Sequence, residues 1–284
     1  MQRLIMHIPG ILLLSVLLSG CTQMFFQPQR QIINSPENYG FEYQVENFQA
    51  ADGTALSAWF MPAHGQAKAT VLYLHGNGEN VSTHFRSVLW LTQEGFNVFA
   101  LDYRGYGTSA GAPSLAGAQL DIDAAMRKLL GRKDVDPQRI VLFGQSLGGA
   151  LAIYYAAHTA YRANLRAVVI DSAFFDYRQI VREKLAGIFI TWPLQWLPWL
   201  TVNNEYTPAA AVAAVSPLPL LLLHGDHDKV IPLHHSQELY ARAREPKELW
   251  IVPGAGHIQA MASVTVRNKL AAYMLHHTSQ PDAK

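Results

Sequence analysis

Gly144-Gln145-Ser146-Leu147-Gly148-Gly149 follows the apolar run Ile140-Val141-Leu142-Phe143, a pattern that hangs a serine on a tight turn between a strand and a helix. Glycines two residues to either side keep Cβ atoms away from the turn, so the serine projects from the sheet edge as a nucleophile. N–H groups left free at the start of the following helix favour negative charge there. A serine hydroxyl is a poor nucleophile at neutral pH; it needs an imidazole base, and the base needs a carboxylate to fix its tautomer. Two later loops carry such groups. After the apolar run 218–223 comes His224-Gly225-Asp226-His227-Asp228-Lys229-Val230-Ile231-Pro232, and after 249–252 comes Pro253-Gly254-Ala255-Gly256-His257. Ser146, Asp228 and His257 are therefore the candidate nucleophile, acid and base, with Asp226 and Asp171 the other carboxylates placed to meet the imidazole. Backbone N–H groups of Leu147, just after the serine, and of Asn77 in the loop His75-Gly76-Asn77-Gly78 are the candidate oxyanion donors.

Together with Asp102-Tyr103-Arg104-Gly105-Tyr106-Gly107-Thr108-Ser109, these pieces resemble the α/β-hydrolase superfamily and, within it, the membrane-anchored alpha/beta hydrolase domain-containing serine hydrolases of bacteria and eukaryotes. The matching segments run from about residue 70 to 257. In that family the acid lies in a His-Gly-x-x-Asp-x-x-Val/Ile-Pro loop, which falls here on Asp228 rather than Asp226. The resemblance implies an eight-stranded, mostly parallel sheet flanked by helices, with a small helical cap inserted after strand six. It also implies an ester-type hydrolase, carboxylesterase- or lipase-like, that needs no cofactor and acts on a small acyl ester, a thioester or a lipid.

The elements needed to position these residues are legible. Strands are expected near 43–50, 55–62, 70–75, 97–101, 140–144, 167–171, 219–223 and 248–252. The first two are joined through Asp52-Gly53 as a hairpin, and the later ones are the all-apolar runs of buried parallel strands. Helices are expected over 80–94, 114–131, 147–160, 233–244 and 258–275. Asn77, Ser146, Asp228 and His257 then lie just beyond strand C-termini, where open α/β sheets bind ligands. One interruption, 174–215, reads as the cap. Trp192, Trp196 and Trp199, at i, i+4 and i+7 but broken by Pro193 and Pro198, could share one face lining an acyl pocket over Ser146, rest on lipid, or simply pack the insertion onto the domain.

Composition is compatible with a single catalytic domain over 42–284. Half of the 284 residues are hydrophobic and 15% are charged, enough to bury a large core. A formal charge of +1, spread evenly, gives no basic stripe for nucleic acid. His227, His234 and His235 lie near Asp226, but their spacing matches no standard zinc set. Ahead of the domain, Arg3 precedes an apolar stretch from Leu4 to Leu18 that ends Leu18-Ser19-Gly20-Cys21. This resembles a bacterial lipoprotein signal over 1–20, which implies acylation of Cys21 and a periplasm-facing anchor in the cell envelope, the outer membrane favoured by Thr22. The alternative is an uncleaved signal anchor. Cys21 is the chain's one cysteine, so its acylation would leave no free thiol. The polar stretch that follows, up to residue 41, reads as a tether.

Two rival functions fit the same residues. A serine peptidase would keep the triad but would need acidic groups to seat a free amino terminus, and the cap holds only Asp176, Glu183 and Glu205. A non-catalytic envelope lipoprotein would use the fold for binding, yet has no physical reason to assemble nucleophile, base, acid and oxyanion glycines.

Overall fold

The structure, a computed structural model, describes residues 25–279. Eight strands form one sheet: β2 (Gln44–Gln49), β3 (Ala55–Met61), β4 (Ala69–Leu74), β6 (Phe96–Asp102), β7 (Ile140–Gln145), β8 (Leu165–Asp171), β9 (Leu220–Gly225) and β10 (Lys247–Val252). They lie in the order β10-β9-β8-β7-β4-β6-β3-β2. Pairings β2/β3 and β3/β6 are antiparallel and the remainder parallel. The expected mostly parallel, eight-stranded α/β-hydrolase sheet is present.

Alternating side chains of β4 enter two cores, as the period of two demands. Leu72 and Leu74 join Ile122, Met126, Leu151 and Ile153 on the face covered by helices Leu115–Leu130 and Leu147–His158. Val71 and Tyr73 join Phe143, Phe85, Leu270 and Met274 on the other face, under helix Val264–Ser279. Continuous apolar runs form the central strands because both of their faces are covered.

Two helices depart from expectation. The segment 80–94 is not one helix but Val81–His84, a 3₁₀ turn Phe85–Ser87 and Trp90–Gln93. Hydroxyls compete with the backbone there: Thr83 donates to Asn80 O, Ser87 to His84 O and Thr92 to Leu89 O. The last helix begins at Val264 rather than 258, because Ile258 has φ 50°, which no right-handed helix accommodates.

The stretch after Cys21 is also not a free tether where it is described. Phe25 and Phe26 are buried, and Gln27–Pro28 (β1) pairs in parallel with Gly78–Glu79 (β5). Phe25 meets Tyr177 edge-on at 4.8 Å, and Asn80 Nδ2 donates to the carbonyls of Gln29 and Gln31. Burying two aromatic rings, each worth roughly 1.5–3 kcal/mol, outweighs the polar character of the surrounding residues. The signal stretch 1–20 and Cys21 lie outside the described residues. No described helix is long and apolar enough to cross a membrane.

Arg104 secures the loop after β6. Its guanidinium donates to both Asp121 oxygens and to Asp52, and its backbone N–H donates to Asp121 Oδ2 at 2.8 Å. Asp121 is fully buried and Arg104 nearly so. Removing Asp121 leaves the guanidinium with Asp52 alone and strips the buried Arg104 Nε, Nη2 and backbone N–H of their acceptor, so Asp121→Ala is expected to lower unfolding free energy by about 3 kcal/mol, read from the urea midpoint.

Candidate active site

Ser146 stands at the end of β7 with φ 53° and ψ −118°, a strained conformation outside the regions open to most L-residues. The elbow can form because its glycines permit close approach. A Cβ on Gly148 would lie 2.1 Å from Leu74 O, and one on Gly144 would lie 2.3 Å from Gly148 O. The strain is held from behind by Asp171, whose carbonyl accepts the Ser146 N–H at 2.8 Å.

The three candidate residues converge. His257 Nε2 lies 3.0 Å from Ser146 Oγ, and His257 Nδ1 lies 2.7 Å from Asp228 Oδ2. Carboxylate binding at Nδ1 leaves Nε2 as the proton acceptor towards serine. Burial of Asp228 pushes its pKa up, but hydrogen bonds from His224 and His257 and from the Ile231 amide outweigh it and hold the carboxyl well below the usual range. Val230 and Ile231 N–H groups each donate to Asp228 Oδ1 at 2.8 Å. The acid therefore stays ionised and fixed.

The competing carboxylates are engaged elsewhere. Asp226 Oδ1 accepts the Gly254 N–H at 2.7 Å. Asp171 is buried, which raises its pKa, and it accepts from Gln145 Nε2 and Ser172 Oγ, both at 2.9 Å. Ser172 Oγ in turn receives the Ile258 N–H at 3.3 Å, linking the elbow's support to the loop of the base. His224 Nε2 donates to Ile231 O at 2.8 Å and faces Asp228 at 3.3 Å, shaping the acid loop.

Beside the triad is a cavity of about 540 Å³ lined by Ser146, His257, Asn77 and Leu147 and walled by Phe25, Phe174, Ile180, Val181 and Ile231. Both candidate oxyanion residues thus border the nucleophile. Tyr106 OH donates to Asn77 O, so the loop after β6 holds the Asn77 peptide in place.

Residues 65–215, just over half of the chain, match the family described as serine aminopeptidase, S33. The chain belongs to this α/β-hydrolase family. It is 39% identical over 268 residues to protein YfhR of Escherichia coli K12, covering 90% of this chain and 89% of that one. Identity to the alpha/beta hydrolase domain-containing protein WAV2 of Arabidopsis thaliana is 29%, covering 81% and 77%. Among solved structures, the Pyrococcus furiosus esterase Pf2001 superposes with a TM-score of 0.71 at 22% identity, covering 89% of this chain and 97% of that one. At that identity the likeness is one of fold.

Against the family frame, the cap tryptophans are misplaced by sequence reasoning. The cap is inserted after β8, the sixth strand of the main sheet, as expected, and consists of helix Tyr177–Ala186 followed by short broken turns. Trp192, Trp196 and Trp199 are 61%, 59% and 48% exposed and do not line the cavity. Prolines at 193 and 198 cut the segment into single turns, so the rings never share a helical face over Ser146. Helix Tyr177–Ala186 supplies the cap's cavity wall instead, through Ile180, Val181 and Lys184.

His84 and Phe25 are site residues the sequence reading missed. The Phe25-Phe26 doublet in an otherwise polar stretch was the visible signal for the second. His84 lines the cavity, stacks on His75 at 5.2 Å and lies 3.0 Å, through Nε2, from Gly78 O. Burial lowers its pKa to about 4, with the neighbouring His75 adding to the effect. In the unfolded chain it titrates near the ordinary histidine value, so between the two values the unfolded state binds the extra proton and stability rises with pH. On the order of 2 kcal/mol is therefore lost at pH 5 relative to pH 8. His84→Gln should flatten that part of the stability–pH curve, measured by chemical denaturation.

His234 and His235, whose spacing matches no zinc set, meet Glu183 rather than Asp226, at 3.1 and 3.0 Å. The Phe175 N–H points at His235 Nδ1, so the proton sits on Nε2 and is donated to Glu183. That tautomer offers a metal no lone pair at Nε2. The contact ties the cap helix to helix His234–Arg242.

Proposed function

We propose that the chain is a serine hydrolase that cleaves a carboxylic ester or thioester through an acyl-enzyme on Ser146, anchored in a bacterial envelope by acylated Cys21. The observation that carries the chemistry is the continuous relay Asp228–His257–Ser146, opening on a largely apolar cavity. His257 takes the serine proton as Ser146 Oγ attacks the carbonyl carbon, and the N–H groups of Leu147 and Asn77 receive the oxyanion. The tetrahedral intermediate collapses, His257 protonates the departing oxygen or sulfur, and water activated by the same imidazole releases the acid.

A volume of about 540 Å³ falls in the range of small-molecule sites, and the apolar wall of Phe25, Phe174, Ile180, Val181 and Ile231 suits an acyl chain. The family's description as a serine aminopeptidase favours a second reading, amide cleavage. For that reading, Glu79 is the one acidic side chain on the cavity wall, with Lys184 also there. A serine-directed fluorophosphonate should label Ser146. Parallel assays on p-nitrophenyl esters of rising acyl length and on aminoacyl p-nitroanilides should show turnover of the esters; faster cleavage of the anilides would give the peptidase reading instead.

A further inference from the structure

Three features lie along the cap helix Tyr177–Ala186, a ten-residue element about 15 Å long, from the chain's entry at its first residue to an exposed apolar segment at its last turn. First, Ile180, Val181 and Lys184 of that helix form a wall of the catalytic cavity. Second, the chain enters the described fold at the helix's N-terminal end: Phe25 is itself a wall of the cavity and packs on Phe174 and Tyr177 at 5.8 and 4.8 Å. Third, the segment folded back on the helix, through Thr191 Oγ1 donating to Leu185 O at 2.8 Å, displays large apolar side chains to solvent. Phe189 is 94% exposed and Ile190 84%, with Leu200 and the three cap tryptophans also open. No Asp, Glu, Lys or Arg occurs from Leu185 through Asn204.

We infer that this apolar face of the cap docks on a lipid bilayer and holds the cavity mouth at the membrane, so that the acyl substrate is drawn from the lipid phase. The inference rests on the proposed anchor at Cys21, and the length of chain between anchor and fold is what commits the face to lipid. Cys21 precedes Phe25 by four residues, at most about 14 Å of extended chain. An acylated Cys21 therefore cannot lie far from the mouth, and the uncharged, tryptophan-rich face beside that mouth meets the bilayer surface on the same leash. Tryptophan suits such an interface, with its apolar body in lipid and its N–H in the headgroup layer. Single-turn elements lie along a surface rather than span it.

The test uses the full-length protein reconstituted in vesicles of phosphatidylethanolamine and phosphatidylglycerol, with and without dibrominated phosphatidylcholine. Quenching of tryptophan emission by the brominated lipid is expected, because Trp192, Trp196 and Trp199 lie on the docking face while Trp59 and Trp90 are buried in the core. The variant Phe189→Ser/Ile190→Ser/Leu200→Ser should keep its turnover of soluble p-nitrophenyl butyrate. It should lose about tenfold or more on a long-chain ester embedded in the vesicles. A long Gly-Ser insertion between Met24 and Phe25 should produce the same split. Normal butyrate turnover without quenching, or with embedded-ester turnover unchanged in both variants, would overturn the inference and leave the hydrolase standing. Absence of butyrate turnover in the wild type would sink the hydrolase reading, and recovery of the intact chain in the soluble fraction would sink the anchor. An apolar face that instead joins two copies would appear as a dimer that the triple variant dissociates, with tryptophans unquenched, and would equally overturn the inference.

Discussion

Ser146→Ala is expected to abolish fluorophosphonate labelling and to lower kcat for a short aryl ester by about 10⁴-fold or more. The hydroxyl is the group through which His257 would act: Oγ lies 3.0 Å from Nε2, and no other hydroxyl reaches that nitrogen among the described hydrogen bonds. Removing it leaves the oxyanion donors and the cavity, which bind substrate and polarise its carbonyl but form no acyl-enzyme. Alanine also fits the elbow, because only Oγ is lost while the backbone contact to Asp171 O remains. The variant should therefore fold and bind, so retained substrate affinity with collapsed kcat is the predicted signature. Wild-type turnover in this variant would end the mechanism.

Asp228→Asn is the second large effect, expected at about 10⁴-fold in kcat with little change in substrate binding. The asparagine keeps one carbonyl oxygen, which the Val230 and Ile231 amides, both at 2.8 Å, hold in place. Its NH₂ must then face His257 Nδ1, where a carboxylate oxygen now sits at 2.7 Å. That donor forces the imidazole proton onto Nε2, which points at Ser146 and can no longer accept a proton from it. Because the wild-type carboxyl is held ionised far below neutral pH, its own titration should not shape the rate profile above pH 5. A pH–rate profile and single-turnover acylation rates on both proteins check this. Equal acylation rates would show that Asp228 only fills space.

Much of this site was legible before any fold was drawn, for a local reason. The elbow, the acid loop and the Gly256-His257 pair each follow a strand whose apolar run is unmistakable, and parallel strands deliver their C-terminal loops to one edge of the sheet. Register supplies the rest: Leu72 of β4 lies between Phe99 of β6 and Leu142 of β7, aligning the ends at which Asn77 and Ser146 sit. The choice of Asp228 over Asp226 and Asp171 was readable only through the family loop pattern. In the fold it follows from who reaches the imidazole, since Asp226 is taken by the Gly254 amide and Asp171 by Gln145 and Ser172.

What sequence alone determined was whatever depends on period and on neighbours along the chain: strands, elbow, triad order and the apolar character of the cap. Tertiary structure decided which surfaces those residues face. The sequence left the tryptophans free to line the pocket, rest on lipid or pack the insertion, and in the fold they are exposed and off the cavity wall. Phe25 and Phe26 looked like tether, yet they are buried against Tyr177 and Tyr106, residues far along the chain. Burial is a property of three-dimensional neighbours, and a residue's type states only that it gains by being covered, not what covers it.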